Sequence, residues 1–191
     1  PLVLERGPAD NPLFDAFFDA TVQAGYPRTD DVNGYRQEGF AKFDRNVHRG
    51  RRYSAERAYL HPVMDRPNLT VRTLVFVKRI VFEGQRAVGV ECIQYKGVPA
   101  TISAGEVILC GGAINTPQLL QLSGVGPANV LQPIGVPMVA DLPGVGANLQ
   151  DHLEVYVQYA CREPVAVNPH IGWLRKLGVA AQWLFLRSGI G

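Results

Sequence analysis

The sequence predicts an α/β fold: a doubly wound sheet with an antiparallel β-meander inserted in it, followed by the start of a second domain. Three observations carry this. The apolar run Val107-Ile108-Leu109-Cys110 passes straight into Gly111-Gly112 and an apolar helical pattern, the strand–turn–helix order of a βα unit. Ahead of it, residues 69–95 alternate apolar and polar side chains around Glu83-Gly84-Gln85, as an antiparallel hairpin does. Behind it, Gly144-Val145-Gly146 opens a second glycine turn that leads into another apolar stretch. A meander that precedes a late parallel strand and its helix fits a doubly wound sheet.

The elements follow in order. Asn11-Pro12 is a helix opening, and Leu13, Phe14, Phe17, Phe18, Thr21 and Val22 fall on one stripe that reads as core; Gly25 closes the helix. Residues 26–53 lack a clean period and carry Gly34, Gly39 and Gly50, so a long loop with short strands is expected. Ser54 caps a short helix through Tyr59, limited by Pro62. In the hairpin, Val71, Thr73, Val75 and Val77 share one face, and a third strand near 99–103 completes the meander. The chain then returns to the parallel sheet at 106–110, with Thr116 as cap of the next helix, Pro117 in its first turn and Gly124 as its stop. A short helix near 128–131 ends at Gly135, residues 136–139 form a short strand, and 153–161 form another. Helical spacing from Trp173 to Leu186 is closed by Ser188-Gly189. No internal repeat or low-complexity tract is present.

Composition narrows the function classes. The 191 residues make one ordinary domain or a large piece of two, and 47% hydrophobic with 19% charged residues is a globular balance. A net charge of +2 with no basic run gives no nucleic-acid footprint, and Arg49, Arg51 and Arg52 read as a solvated loop. Cys92, Cys110 and Cys161 are odd in number and widely spaced; with two of them in apolar stretches, buried free thiols in a reducing compartment are expected. No apolar run reaches the roughly 18 residues a membrane-spanning helix needs. No metal-ligand spacing is present. The ends, Pro1-Leu2-Val3-Leu4 and Ser188-Gly189-Ile190-Gly191, read as the cut edges of an internal fragment.

The string at 111–126, Gly-Gly-Ala-Ile-Asn-Thr-Pro-Gln-Leu-Leu-Gln-Leu-Ser-Gly-Val-Gly, resembles a signature segment of the glucose–methanol–choline (GMC) oxidoreductases, FAD-dependent alcohol oxidisers. The string at 144–152, Gly-Val-Gly-Ala-Asn-Leu-Gln-Asp-His, resembles a second segment of that family. Ala24-Gly25-Tyr26-Pro27, Gln37-Glu38-Gly39-Phe40, Gly50-Arg51-Arg52-Tyr53-Ser54 and His152-Leu153-Glu154-Val155-Tyr156 extend the likeness over the whole chain and toward the choline-oxidising members.

The resemblance implies that residues 1–151 are part of the FAD-binding domain, without its G-x-G-x-x-G start, and that 152–191 begin a substrate-binding domain. It implies FAD as cofactor. Val77 matches the residue whose main chain reads the adenine, Cys110, Gly111 and Gly112 match the turn beside the dinucleotide, and Asn148 lies in the second cofactor segment. Asp151 and His152 are then hydrogen-bonded turn residues, because the family's base is a histidine near the C-terminus of the complete protein. No catalytic residue is therefore expected in this stretch, and the stretch alone is expected to be inactive. Glu154 matches a glutamate that pairs with the trimethylammonium group of choline, and Trp173 a cage wall beside it. Such a cation offers no N–H, so charge and aromatic faces must hold it. Plain readings stand beside these: Val77 as a sheet residue, Glu154 as a solvent-facing carboxylate, Trp173 as core.

The implied reaction is oxidation of a primary alcohol, choline to betaine aldehyde, with hydride passing to flavin N5, in glycine betaine synthesis. Another GMC dehydrogenase or oxidase for an aliphatic or polymeric alcohol, and a non-catalytic module that kept the FAD fold, are the alternatives. An NAD-dependent dehydrogenase fits the meander less well. The electron acceptor is open between oxygen and a respiratory chain. The expected location is the mitochondrial inner membrane in a eukaryote, or the cytoplasm or inner membrane, peripherally bound, in a bacterium.

Overall fold

The computed structural model describes residues 2–166 and 172–187. The chain forms two compact units, 1–70 together with 157–191, and 71–156.

In the first unit, β1 (Glu5–Arg6) pairs antiparallel with β2 (Asp44–Arg45). The acid–base order is reversed between the two strands, so each arginine faces an acid: Arg6 Nε lies 3.1 Å from Asp44 Oδ1 and Arg45 Nη2 lies 2.9 Å from Glu5 Oε1. Between these strands runs α1 (Pro12–Gln23), capped by Asn11, whose Oδ1 accepts from Leu13 N–H at 2.9 Å. Its apolar stripe is not core along its length. Phe18 and Thr21 are buried, but Leu13, Phe14, Phe17 and Val22 are between 41% and 53% exposed. Phe14, Phe17 and Phe18 instead line a cavity of about 760 Å³ with Phe40 and Phe43, and the Phe17 and Phe40 rings meet edge to face at 5.5 Å.

The hairpin β3 (Val47–His48) and β4 (Arg51–Arg52) turns through Arg49-Gly50, both with positive φ, as tight two-residue turns require. The three arginines here are exposed, as expected of a solvated loop. Past Ser54 the chain makes a π-helical turn (Glu56–Leu60), in which His61 Nε2 reaches Glu56 Oε1 at 2.8 Å. A 3₁₀ turn (His61–Val63) follows. Pro62 sits in that turn's opening residues, where its missing N–H costs nothing, so it does not end the helical stretch as expected.

The second unit holds the meander. Strand β5 (Phe76–Glu83) pairs antiparallel with β6 (Arg86–Gln94), which pairs with β7 (Val98–Ser103). The first strand starts at Phe76 and not near 69, because Leu74 takes a positive φ of 56° that breaks the extended run. Cys92, opposite Val77, and Ile80 are buried, whereas Cys110 and Cys161 are exposed, against the expectation of a buried Cys110. Across the hairpin, the Arg79 guanidinium bonds to Glu91 and holds that carboxyl below its usual range.

Residues 106–110 carry no ladder bonds, although burial alternates along them, with Val107 and Leu109 half-buried. A parallel strand exists only when flanking strands complete its hydrogen bonds, and among the described residues none does. The helix α2 (Gly112–Leu122) begins at the glycine pair, four residues before the expected cap. Thr116 still acts at this end: its Oγ1 accepts from Gly111 N–H at 3.0 Å, and Pro117 lies inside the helix.

The parallel pairing observed is β8 (Val125–Gly126) with β9 (Ala140–Asp141), so the strand expected at 136–139 lies one step later. Between them α3 (Ala128–Leu131) is capped by Asp141, whose Oδ1 accepts from Ala128 N–H at 2.9 Å, and it seats Leu131 fully in the core. Residues 153–161 are unpaired and exposed, so the strand expected there does not form. The mixed helix and sheet class stands, and the meander lies where it was expected.

The last helix, α4 (Trp173–Leu186), returns to the first unit. Trp183 Nε1–H donates to the Gly50 carbonyl at 3.0 Å, and the Arg187 guanidinium lies 4.3 Å over the Trp183 ring. Arg187, with φ 53°, caps the helix; the expected Ser188-Gly189 stop lies outside the described residues.

Candidate cofactor and substrate site

Val77, Cys110, Gly111, Gly112 and Asn148 all belong to the second unit, and α2 ties their segments together. Its N-terminus carries the glycine pair. Its C-terminus ends at Ser123, a buried hydroxyl that accepts from Ile80 N–H at 2.8 Å and donates to the Leu119 carbonyl at 2.6 Å. That bond satisfies a main-chain donor on the outer edge of β5, three residues from Val77. From the helix body, Gln121 Nε2–H donates to the Val145 carbonyl at 3.0 Å, fixing the Gly144–Gly146 turn that leads to Asn148. A Cβ on Gly146, whose φ is +82°, would lie 2.7 Å from Gln121 Nε2. The close fit of turn on helix therefore needs glycine there.

Of the glycine pair, Gly112 is open toward its surroundings, whereas a Cβ on Gly111 would lie 3.3 Å from Asn115 Cβ and Thr116 Oγ1. Gly112 has φ +84°, and nothing lies within 4 Å of where its Cβ would be; Cys110 and Gly111 are exposed as well. Bare backbone of this kind admits a bulky group to van der Waals distance. Val77 is half-buried on β5, and Asn148 is exposed with a positive φ of 56°. Asp151 Oδ1 accepts from His152 N–H at 2.8 Å, so these two residues are hydrogen-bonded to each other.

Glu154 lies on the exposed segment that follows His152, and the Tyr156 hydroxyl donates a short hydrogen bond to its Oε2. This bond raises the tyrosine above its ordinary pKa. Among the described residues Glu154 makes no ion pair. Trp173 opens α4 in the other unit and is 72% exposed, so it is not core. The 760 Å³ cavity contains none of these residues. Among the described residues no cluster of histidine, cysteine or carboxylates could hold a metal ion.

Sequence reasoning passed over Ser123, Gln121 and Tyr156. The first two are polar residues interrupting the apolar run from Leu119 to Leu122 just before a glycine stop, and that interruption is the readable signal. Tyr156 stands two residues from Glu154, a spacing that would put both on one side of the strand expected there.

Comparison with known proteins gives consistent matches. The GMC oxidoreductase family model matches residues 2–154. Oxygen-dependent choline dehydrogenase of Staphylococcus haemolyticus is 57% identical over 189 residues, covering 99% of this chain and 33% of that protein. The enzyme of the same name from Staphylococcus saprophyticus is also 57% identical, over 99% of this chain and 34% of its own length. The chain thus spans about a third of the curated relatives it matches.

Among solved structures, pyridoxine 4-oxidase from Mesorbium loti shares 36% identity over 75% of this chain and 28% of its own, with a TM-score of 0.68. An FAD-dependent oxidoreductase from Chaetomium thermophilum is 25% identical over 99% of this chain and 34% of its own, at a TM-score of 0.82. A formate oxidase of Aspergillus oryzae RIB40, 25% identical over 99% of this chain and 33% of its own, superposes at a TM-score of 0.84.

The cofactor these matches indicate is FAD, and the open backbone at Gly112 leaves room for a bulky group against it. By sequence and by fold, the chain belongs to the GMC oxidoreductase family.

Proposed function

We propose that the protein oxidises a primary alcohol with FAD, and that the alcohol is choline, converted to betaine aldehyde for glycine betaine synthesis. The observation that carries this reading is 57% identity along 99% of the chain to oxygen-dependent choline dehydrogenases. FAD supplies, when bound, the acceptor for the hydride that leaves the alcohol carbon. In this reading Val77 offers main-chain N–H and C=O to the adenine edge, and Cys110, Gly111, Gly112 and Asn148 border the dinucleotide. Glu154 attracts the quaternary ammonium and so places the far end of choline, and Trp173 has the aromatic face that a cation of this kind takes. The hydroxyl proton leaves to a base outside these 191 residues.

Residues 1–151 are assigned to the FAD-binding domain and 152–191 to the start of the substrate-binding domain. Dioxygen is the proposed electron acceptor, by analogy with the staphylococcal enzymes. The proposed location follows the relatives' chemistry: the cytoplasm or inner membrane in a bacterium, the mitochondrial inner membrane in a eukaryote.

The test is steady-state oxygen consumption by the full-length holoenzyme with choline and with its uncharged isostere 3,3-dimethylbutan-1-ol. Choline is expected to be the better substrate by kcat/KM. Glu154→Gln is expected to raise the choline KM on the order of 30-fold, as loss of one close charge at intermediate dielectric implies, and to leave the isostere's KM unchanged. Equal effects on the two alcohols would remove the cation-pairing role. Preference for an uncharged or aromatic alcohol would assign the protein to another GMC substrate class.

A further inference from the structure

We infer that Tyr156 is a positioning residue for the substrate's cation: its hydroxyl holds the Glu154 carboxylate in the orientation that receives the quaternary ammonium group. The inference rests on the choline reading above and deepens it. Three features of the chain support it.

The first is geometric. Glu154 and Tyr156 stand two residues apart on one exposed segment, and the Tyr156 hydroxyl bonds Glu154 Oε2. The second is the division of the carboxylate. With Oε2 engaged by a neutral donor, the charge stays undiminished and Oε1 stays free; among the described residues no cation neutralises it. An arginine in the tyrosine's place would fix the carboxylate equally well but would cancel the attraction that a substrate cation needs.

The third is the substrate's own chemistry. A quaternary ammonium has no N–H with which to pull a flexible carboxylate into place, so the orientation must be supplied by the protein before binding. Tyr156 is suited to this over the whole working range. Its hydrogen bond to Glu154 raises the phenol above its ordinary pKa, so it remains a donor at neutral and mildly alkaline pH. The phenol is a rigid, two-torsion group, so little freedom is lost in holding the bond.

The experiment uses the full-length holoenzyme with Tyr156→Phe, Glu154→Gln and the double variant. Tyr156→Phe keeps the ring and removes only the donor. It is expected to raise the choline KM about fivefold, as loss of a hydrogen bond to a charged group does, while kcat and the KM for the uncharged isostere stay unchanged. Equilibrium binding of the tetramethylammonium ion, followed by calorimetry, is expected to weaken by the same factor. In the Glu154→Gln background, adding Tyr156→Phe is expected to change neither quantity further, since the carboxylate it orients is gone.

The two failures are distinct. If Glu154→Gln weakens choline but Tyr156→Phe does not, the positioning role is overturned and the choline reading stands. If Tyr156→Phe affects both alcohols alike, the residue supports the cavity wall only, and the inference is overturned. If Glu154→Gln has no cation-selective effect, the cation-pairing role of Glu154 falls and takes the inference with it, while the choline reading is decided by the preference between the two alcohols.

Discussion

Gly112 and Gly146 both have positive φ, yet a methyl group added to each meets a different environment. At Gly146 it would strike Gln121 Nε2 at 2.7 Å, so the glycine serves the packing of a turn on a helix. At Gly112 it meets nothing within 4 Å, so only the left-handed backbone, with φ +84°, favours glycine from within the chain. Gly112→Ala in the full-length enzyme is therefore expected to cost only the strain of a left-handed alanine, about 1 kcal/mol, in a thermal melt of the apoprotein. The bound FAD, measured as the flavin-to-protein absorbance ratio after dialysis, should fall much further than that strain explains. An unchanged ratio would separate the glycine pair from the cofactor.

At the scale of elements, α2 acts through its polar residues. Ser123 joins the helix end to the outer strand of the meander, and its removal leaves the Ile80 N–H buried without a partner. Ser123→Ala is expected to cost about 1–3 kcal/mol, read as a lower denaturation midpoint at constant m-value. A loss well below that range would mean that the strand edge finds another acceptor.

The elements also show what a sequence reveals and what it conceals. The Asn11 cap, the Gly84 turn and the meander were legible because each is decided within a few residues by local chemistry. The strands expected at 106–110 and 153–161 were equally apolar, but strand formation depends on a ladder partner, which no local pattern encodes. The helix start at Gly112 was displaced to Thr116 for a related reason. Thr116 has the chemistry of a cap, but it uses it to bind Gly111 from inside the first turns. At the candidate site, the glycine pair was readable from the residues; the Ser123, Gln121 and Tyr156 contacts that brace its surroundings were not, because their partners lie elsewhere in the chain or take no part in any motif.

Over the whole molecule, burial is sparse. Among the described residues, Phe18, Ala58, Ile80, Cys92, Val125 and Leu131 are the deeply buried apolar side chains, while Phe14, Phe17, Phe43, Ile108, Leu153 and Phe185 are among many left open. No helix among the described residues is long and apolar enough to cross a membrane. Prepared as an isolated polypeptide, the 191-residue chain is expected to bind the dye ANS strongly and to self-associate in light scattering. A monodisperse monomer with no dye binding would show that these apolar faces close upon one another.

The contact of Trp183 with the Gly50 carbonyl spans 133 residues of chain, and that of Asn11 Nδ2 with the Val165 carbonyl spans 154. Both belong to the unit whose two parts flank the meander unit in sequence. On the ribosome, then, the early strands and α1 emerge long before the helix that secures them exists. At ordinary elongation rates this interval is on the order of ten seconds, while the meander's partners, all local, arrive together. Throughout that interval the Gly50 carbonyl and the Asn11 side chain lack the partners that later close this unit.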